Sequence, residues 1–384
     1  MSQLTQLEIL NYKRIRALSL EMRPLMILIG ANGVGKTSLM EALELLSRSA
    51  QGKLADTLNE FGGPDSVVTR VEPKGEIAFG IQSAMPDNAK WRYDLAIQPG
   101  RGGGYAIARE ELSHCDGKSG VVTPHIQARF DDIHYLNAEM DAMIQPNWTS
   151  GTHETSLAQV PRQFRMADEF RDYLASSLRY HTLDIGTRAP IRIPQKLRPA
   201  PLPGANGEDL VSYLHFLREE YPHNYESFLD TLHVAFKSFD SLGYPSVAAG
   251  MFVLTWRDST LSAPLYQGEL SEGLLRFIWL VALLHSPYLP NITMIDEPEV
   301  SIHPDVLNLL VDLFREAAQR TQLVVATHSD RLLRYLSPTE IVAMDLGEDG
   351  FAEAVWADSL DVNIWLEKHG LDEIWRMGQL GARA

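Results

Sequence analysis

The sequence predicts an α/β fold in which a mostly parallel sheet is joined by an antiparallel β subdomain and a helical insert. Three observations predict it. An apolar run, LMILIG, ends in a glycine-rich turn and leads into the helix-like MEALELL; short strand-like runs broken by turn signals follow; and the last third alternates strand-like with helix-like stretches. Strands that alternate with helices are covered on both faces, the usual setting of a buried parallel sheet.

Taken in order, LTQLEIL and RALSLEM read as short strands ahead of LMILIG. EIAFGIQ and WRYDLAIQ, with turn signals at 86–88 and a glycine-rich stretch at 101–104, read as an antiparallel subdomain. Together these make an N-terminal lobe over residues 1–150. Over 151–245 the texture becomes helical, in DEFRDYLASSL and EDLVSYLHFLREEY, with the proline-rich RAPIRIPQKLRPAPLPG between them. No heptad pattern lasts three or four repeats, which argues against long coiled-coil arms. The C-terminal lobe, 246–384, reads as strand MFVLTWRD, helix SEGLLRFIWLVALL, strand NITMIDEP, helix HPDVLNLLVDLFREAAQ and strand QLVVATHS.

Composition narrows the function classes. A net charge of −16 over 384 residues argues against a basic surface that wraps nucleic acid without regard to sequence. Arg188, Arg192, Lys196 and Arg198 cluster among prolines, and a solvated loop is the favoured reading over a polyanion contact. The single cysteine, Cys115, cannot form an internal disulfide, and no secretory leader opens the chain, so a cytoplasmic location is expected. The longest apolar stretch, Phe277 to Leu284, falls well short of the roughly 20 residues that span a bilayer, so no membrane contact is expected.

Four motifs carry chemistry. In GANGVGKTS, residues Gly30, Ala31, Asn32, Gly33, Val34, Gly35, Lys36, Thr37 and Ser38 match the phosphate-binding loop between an apolar strand and a helix. Glycines let backbone N–H groups turn toward a polyphosphate, Lys36 neutralises its oxygens and the Thr37 hydroxyl can ligate Mg²⁺. In ITMIDEPE an apolar strand ends in Asp296, suited to Mg²⁺, and Glu297, suited to take a proton from an attacking water. QLVVATHS ends in His328, which suits the γ-phosphate or the water. GELSEGLLRF places Ser271 and Gly273 at a helix start, where a serine caps and N–H groups bind an anion.

The phosphate loop, LSEG, MIDEPEVSIHP and ATHS, in that order, resemble the ABC-type ATPase heads of the RecF, SMC and OLD (overcoming lysogenization defect) group. The likeness is strong at the start and over the last third. It implies ATP and Mg²⁺ as cofactors, and a homodimer in which Ser271 and Gly273 act in trans on nucleotide held by the other chain. It also implies that Lys36 grips phosphates, Thr37 and Asp296 hold Mg²⁺, Glu297 is the general base and His328 senses the γ-phosphate. Glu299, Ser301 and His303 would lie in the segment that crosses the dimer interface. A glutamine usually completes such sites; Gln82 and Gln98 fall in the right region, and no local pattern selects either.

OLD proteins resemble this head fused to a Toprim nuclease. Only about fifty-six residues follow His328 (384 minus 328), and Asp345, Glu348 and Asp349 read as a solvated turn, so a nuclease or other effector would be a separate protein. The first reading is therefore an ATP-hydrolysing head that drives or gates such an effector in a nucleic-acid-linked process, foremost anti-phage defence. A RecF-like DNA repair ATPase is the alternative, with nucleic acid as a direct partner; a transporter nucleotide-binding subunit is the weakest.

Overall fold

The computed structural model describes residues 3–71, 75–84, 89–100, 103–117, 119–148, 151–360, 370–378 and 380. The turn signal at 86–88 and the first two residues of the 101–104 stretch lie outside them. The chain divides into two compact units. The first comprises Met1–Leu178, Pro338–His369 and Glu373–Ala384; the second comprises Arg179–Ser337 and Gly370–Asp372.

In the first unit, β1 (Gln3–Tyr12), β2 (Ile15–Glu21), β4 (Ile77–Ala84), β5 (Lys90–Pro99), β6 (Tyr105–Cys115), β7 (Val122–Arg129), β8 (Asp132–Asn137) and β9 (Ala142–Ile144) form one sheet. Its order is β2-β1-β4-β5-β6-β7-β8-β9, antiparallel throughout. The alternation in β4 and β5 buries Phe79, Ile81, Trp91 and Tyr93 on one face. There Trp91 and Tyr93 pack on Phe170 of α4 (Arg165–Ala175), at ring centroid distances of 5.3 and 5.8 Å. The other face is charged: Arg92 bridges Glu8 and Asp94 at 2.5 and 2.6 Å, above Gly80, the one residue between them that lacks a side chain.

The apolar run at residues 25–29 is β3 (Leu25–Ile29), buried at every position. It pairs in parallel with β19 (Ile341–Leu346), which in turn pairs antiparallel with β20 (Ala352–Trp356). β3 runs into α1 (Lys36–Ala50), which packs on α4 through Ser47, whose Oγ donates to the carbonyl of Ala175 at 3.1 Å. Two short helices, α2 (Leu54–Glu60) and α3 (Pro64–Val67), follow α1. A fully buried carboxylate, Glu110, accepts from the N–H groups of Ser156 and Leu157 and from the Tyr93 hydroxyl, anchoring the segment ahead of α4.

The stretch 151–245 does carry three helices, α4, α5 (Leu210–Glu220) and α6 (Pro222–Ala235), but α4 belongs to the first unit and α5 and α6 to the second. β10 (Ser177–Tyr180) carries the chain from one to the other. In the second unit α7 (Glu272–Leu284) is buried from Leu275 to Leu284, with Arg276 its one charged residue there, and packs against α5, α6 and α8 (Leu307–Ala317). β17 (Ile292–Asp296) and β18 (Gln322–Ala326) form a parallel pair, and α9 (Asp330–Leu333) follows.

The run MFVLTWRD is not one strand. It divides into β14 (Met251–Phe252), paired with β11 (Gln195–Lys196) and β13 (Ser246–Ala248), and β15 (Thr255–Asp258), paired with β12 (Phe239–Gly243) and β16 (Leu265–Tyr266). The switch falls where the buried Gln267 captures Leu254: its side-chain oxygen accepts from the Leu254 N–H at 2.6 Å, and its own N–H donates to the Leu254 carbonyl at 2.9 Å. Among the described residues, no helix is long and apolar enough to cross a membrane.

Two buried histidines make stability depend on pH. His125 Nε2 lies 2.8 Å from His114 Nδ1 against Trp91, and burial, then the neighbouring His114, pull its pKa from 6.5 to about 4. His285, 3.0 Å from the Thr231 hydroxyl, is pulled to about 4 by burial. The unfolded chain takes up these protons near 6.5 and the folded chain near 4, so this part of the stability is complete above pH 6.5 and is lost as pH falls through that window. Urea-unfolding midpoints should therefore drop between pH 6.5 and about 4.5, before ordinary carboxylates protonate. His125→Asn and His285→Gln should each flatten the slope, and an equally steep profile in both variants would contradict this origin.

Candidate functional site

The phosphate loop lies in the first unit, between β3 and α1. Gly30 leaves β3 at φ +148, and a Cβ there would meet the Met344 carbonyl oxygen at 2.3 Å, so only glycine lets the loop pass β19. Gly33 and Gly35 follow at φ +81 and +113, a backbone that turns N–H groups inward. Gly35 caps α1 without any side-chain bond, and the first turn holds no acidic residue, which leaves the positive end of a 15-residue helix open to an anion.

Lys36 is only 6 % exposed, and its ammonium curls onto the loop, donating to the carbonyls of Gly30 at 2.5 Å and Ala31 at 3.0 Å. That places a cation at the mouth of the glycine cradle. Asn32 and Thr37 are exposed, Ala31 is half-buried, and Val34 and Ser38 are buried. The turn between β1 and β2 passes close to the loop, at a residue that sequence reasoning missed: a Cβ on Gly35 would lie 3.9 Å from Cβ of the exposed Arg14. The loop thus has the shape and charge to hold a polyphosphate, and Thr37 offers an oxygen to a divalent cation.

The second unit places the DE pair and the histidine at the same ends of adjacent parallel strands. The register pairs Asp296 with Ala326. Beyond it the Glu297 N–H donates to the Ala326 carbonyl at 2.8 Å while its backbone turns to φ +48, an uncommon conformation for a residue with a side chain. His328 Nε2 then lies 3.7 Å from Glu297 Oε1, with both side chains about one-third exposed (32 % and 38 %). Asp296 keeps a half-buried carboxylate whose Oδ2 accepts from the nearly buried Arg179 of β10 at 3.0 Å. Arg276 of α7 lines the same cleft as Asp296 and Glu297; burial pulls its guanidinium below the usual range against the charges of Glu272, Asp184 and Glu297.

LSEG does begin α7. Ser271 is its N-cap and accepts from the Leu274 N–H at 3.3 Å, while Ser271 and Glu272 stay exposed. Gly273 answers a close approach: a Cβ there would meet the Ser301 carbonyl oxygen at 2.1 Å. Ser301 itself sits at φ +64.

One sequence reading, that of Arg192, changes. Glu299, expected in an interface segment, turns its carboxylate inward to Thr327 and His328. Arg192, read as part of a solvated loop, donates to the carbonyls of Ile185 at 2.7 Å, Gly268 at 3.2 Å and Leu270 at 2.9 Å, clamping the residue before Ser271. Arg198 is exposed as expected and is paired with Asp209 at 2.8 Å. Among the described residues no group of three or more His, Cys, Asp or Glu is arranged to hold a metal; Asp345 and Asp349 instead accept from nearby backbone N–H groups. Arg179 carries no local signature, because it acts on a partner 117 positions away.

A glycine cradle with a lysine on its rim, and a strand-end acid beside a histidine, define a P-loop nucleoside-triphosphatase head. Residues 25–334 match the family model described as "AAA domain, putative AbiEii toxin, Type IV TA system", and the chain belongs to that family. No curated protein matches the sequence. Among solved structures, an Smc head bound to the C-terminal winged-helix domain of ScpA superimposes with a TM-score of 0.57 at 12% identity, over 92% of this chain and 97% of that one. An Smc head with an extended coiled coil, bound to the C-terminal domain of ScpA and derived from Pyrococcus furiosus, gives 0.52 at 11%, over 92% and 96%. The chain thus shares the fold of the Smc heads.

The close approach at Gly273 has a measurable cost. Gly273→Ala should destabilise the protein by about 1–3 kcal/mol in urea unfolding, because the methyl group and the Ser301 carbonyl cannot occupy their present positions together. Unchanged stability would mean that this approach is not tight.

Proposed function

We propose that the chain binds Mg²⁺-ATP and hydrolyses it to ADP and phosphate, closing as a homodimer and driving or gating a separate effector, foremost in anti-phage defence. The observation that carries hydrolysis, beyond nucleotide binding, is the part-exposed Glu297 carboxylate 3.7 Å from the His328 imidazole. In this reading the Lys36 ammonium exchanges the carbonyls of Gly30 and Ala31 for β- and γ-phosphate oxygens, aided by the end of α1. Thr37 and Asp296 hold Mg²⁺, which when bound neutralises phosphate charge; Arg179 orients the Asp296 carboxylate. Glu297 takes a proton from the attacking water as its oxygen bonds to the γ-phosphorus and the bond to ADP breaks, while His328 holds the γ-phosphate.

The exposed Ser271 and Glu272 at the start of α7 support contact with nucleotide held by a second copy. The family description, which names a toxin of a toxin–antitoxin system, supports a defence output involving another chain. Arg192 and Arg198 of the proline-rich segment are engaged within the protein, while Arg188 and Lys196 are exposed, so the net charge of −16 is what weighs against the repair reading. ATP-dependent DNA binding that weakens steeply with salt would reverse that preference.

Glu297→Gln should bind ATP as the wild type does, lose nearly all hydrolysis and accumulate as an ATP-bound dimer in size-exclusion chromatography. Hydrolysis at the wild-type rate would remove Glu297 as the base. Mixing Lys36→Ala chains with Ser271→Arg chains should restore activity, with at most one working site per dimer. Failure to complement at any ratio, with both parents still dimeric, would place Ser271 in cis.

A further inference from the structure

We propose that Glu299 is a positioning residue that holds His328 against Glu297, by tying the loop that carries the imidazole to the turn that carries the carboxylate. The chain coils tightly after β17, with Glu297 and Ser301 at φ +48 and +64 and bonds from the Val300 N–H to the Glu297 carbonyl (3.3 Å) and the Ile302 N–H to the Glu299 carbonyl (3.0 Å). From this coil the Glu299 side chain reaches back to the end of β18. Its Oε1 accepts from the Thr327 hydroxyl at 2.6 Å and from the His328 N–H at 3.3 Å, and Thr327 Oγ1 accepts from the Ser329 N–H at 2.9 Å. Three consecutive residues, Thr327 to Ser329, are thereby referred to one carboxylate.

The arrangement is costly, which argues that it is not incidental. Glu299 Oε2 is buried and has no hydrogen-bond partner among the described residues, and burial pushes the carboxyl above the ordinary carboxylate range against the pull of the Thr327 hydroxyl. An apolar side chain would fill this place without that penalty, but could not accept from both the Thr327 hydroxyl and the His328 N–H. The backbone of His328 aims its ring, and Glu297 lies two residues before Glu299. One side chain therefore sets the spacing of the imidazole and the carboxylate from both sides.

The kinetic consequence rests on the hydrolytic reading above; the geometric one does not. The test uses the full chain with Glu299→Gln, Glu299→Ala and Thr327→Val. The His328 ring signals in nucleotide-free protein are followed by NMR, assigned by His328→Gln, alongside ATP turnover and binding of a fluorescent ATP analogue. Gln keeps an acceptor oxygen, so Glu299→Gln should leave the His328 signals in place and kcat within about threefold of wild type. Glu299→Ala should move the signals and lower kcat about tenfold to a hundredfold, with KM for ATP within about twofold, the pattern of misplaced catalytic groups. Thr327→Val should move the same signals less far, and it decides the matter if Glu299→Ala does not fold. Unmoved His328 signals in Glu299→Ala, or in Thr327→Val in that case, overturn the proposal. Signals that move as expected in a wild-type background without ATP turnover would instead sink the hydrolytic reading and leave the positioning role standing.

Discussion

The parallel pairing of β17 with β18 is the constraint on which the chemistry of the second unit depends. Parallel strands end at the same edge of a sheet, which is why ligands in open α/β folds gather at their carboxyl ends. Because Asp296 pairs with Ala326, the residues just beyond each strand, Glu297 and His328, emerge together. The bond from the Glu297 N–H to the Ala326 carbonyl extends the ladder by one step as the chain turns away. A slip of one residue would exchange the faces of the whole strand and send Asp296 away from Arg179. The first unit repeats the device: β3 runs parallel to β19, and Gly30 leaves the sheet where the Met344 carbonyl permits no side chain.

The motifs were legible because each is written in a few consecutive residues. An apolar run that stops at glycines or at paired acids announces a buried strand and its end, and β3 and β17 lie where those runs lie. LSEG likewise reads as a helix start, with Ser271 as the cap. What the sequence hid is what depends on distance along the chain. Arg179 meets Asp296 across 117 positions, and Arg192 meets Leu270 across 78. Nothing near either arginine distinguishes it from an arginine on a solvated loop. MFVLTWRD failed for a related reason: apolar alternation shows that residues suit a strand but cannot show a change of partners, which here turns on Gln267.

The LSEG tetrapeptide is also a structural joint. Ser271 closes the end of α7, Gly273 makes room for the Ser301 carbonyl, and Arg192 holds the Leu270 carbonyl from the other side. The start of α7 is thereby tied to the coil that follows Glu297. A change felt at Ser271 can reach the carboxylate through backbone contacts alone, because a packed joint shifts as a piece. Substitutions in this motif consequently report on the joint as well as on any ligand, which is why the complementation of whole chains is more informative than loss of activity in one.

The first unit is discontinuous: the chain leaves it at Leu178 and returns at Pro338. The phosphate loop is made early, but the strand that flanks it, β19, is made more than three hundred residues later. On a ribosome adding about 5–20 residues each second, the loop would wait on the order of tens of seconds for the neighbour against which Gly30 is seated. The nascent chain thus carries a nucleotide motif before it carries a finished nucleotide cradle. The seating of the phosphate loop against β19 is therefore a late event in the folding of each molecule.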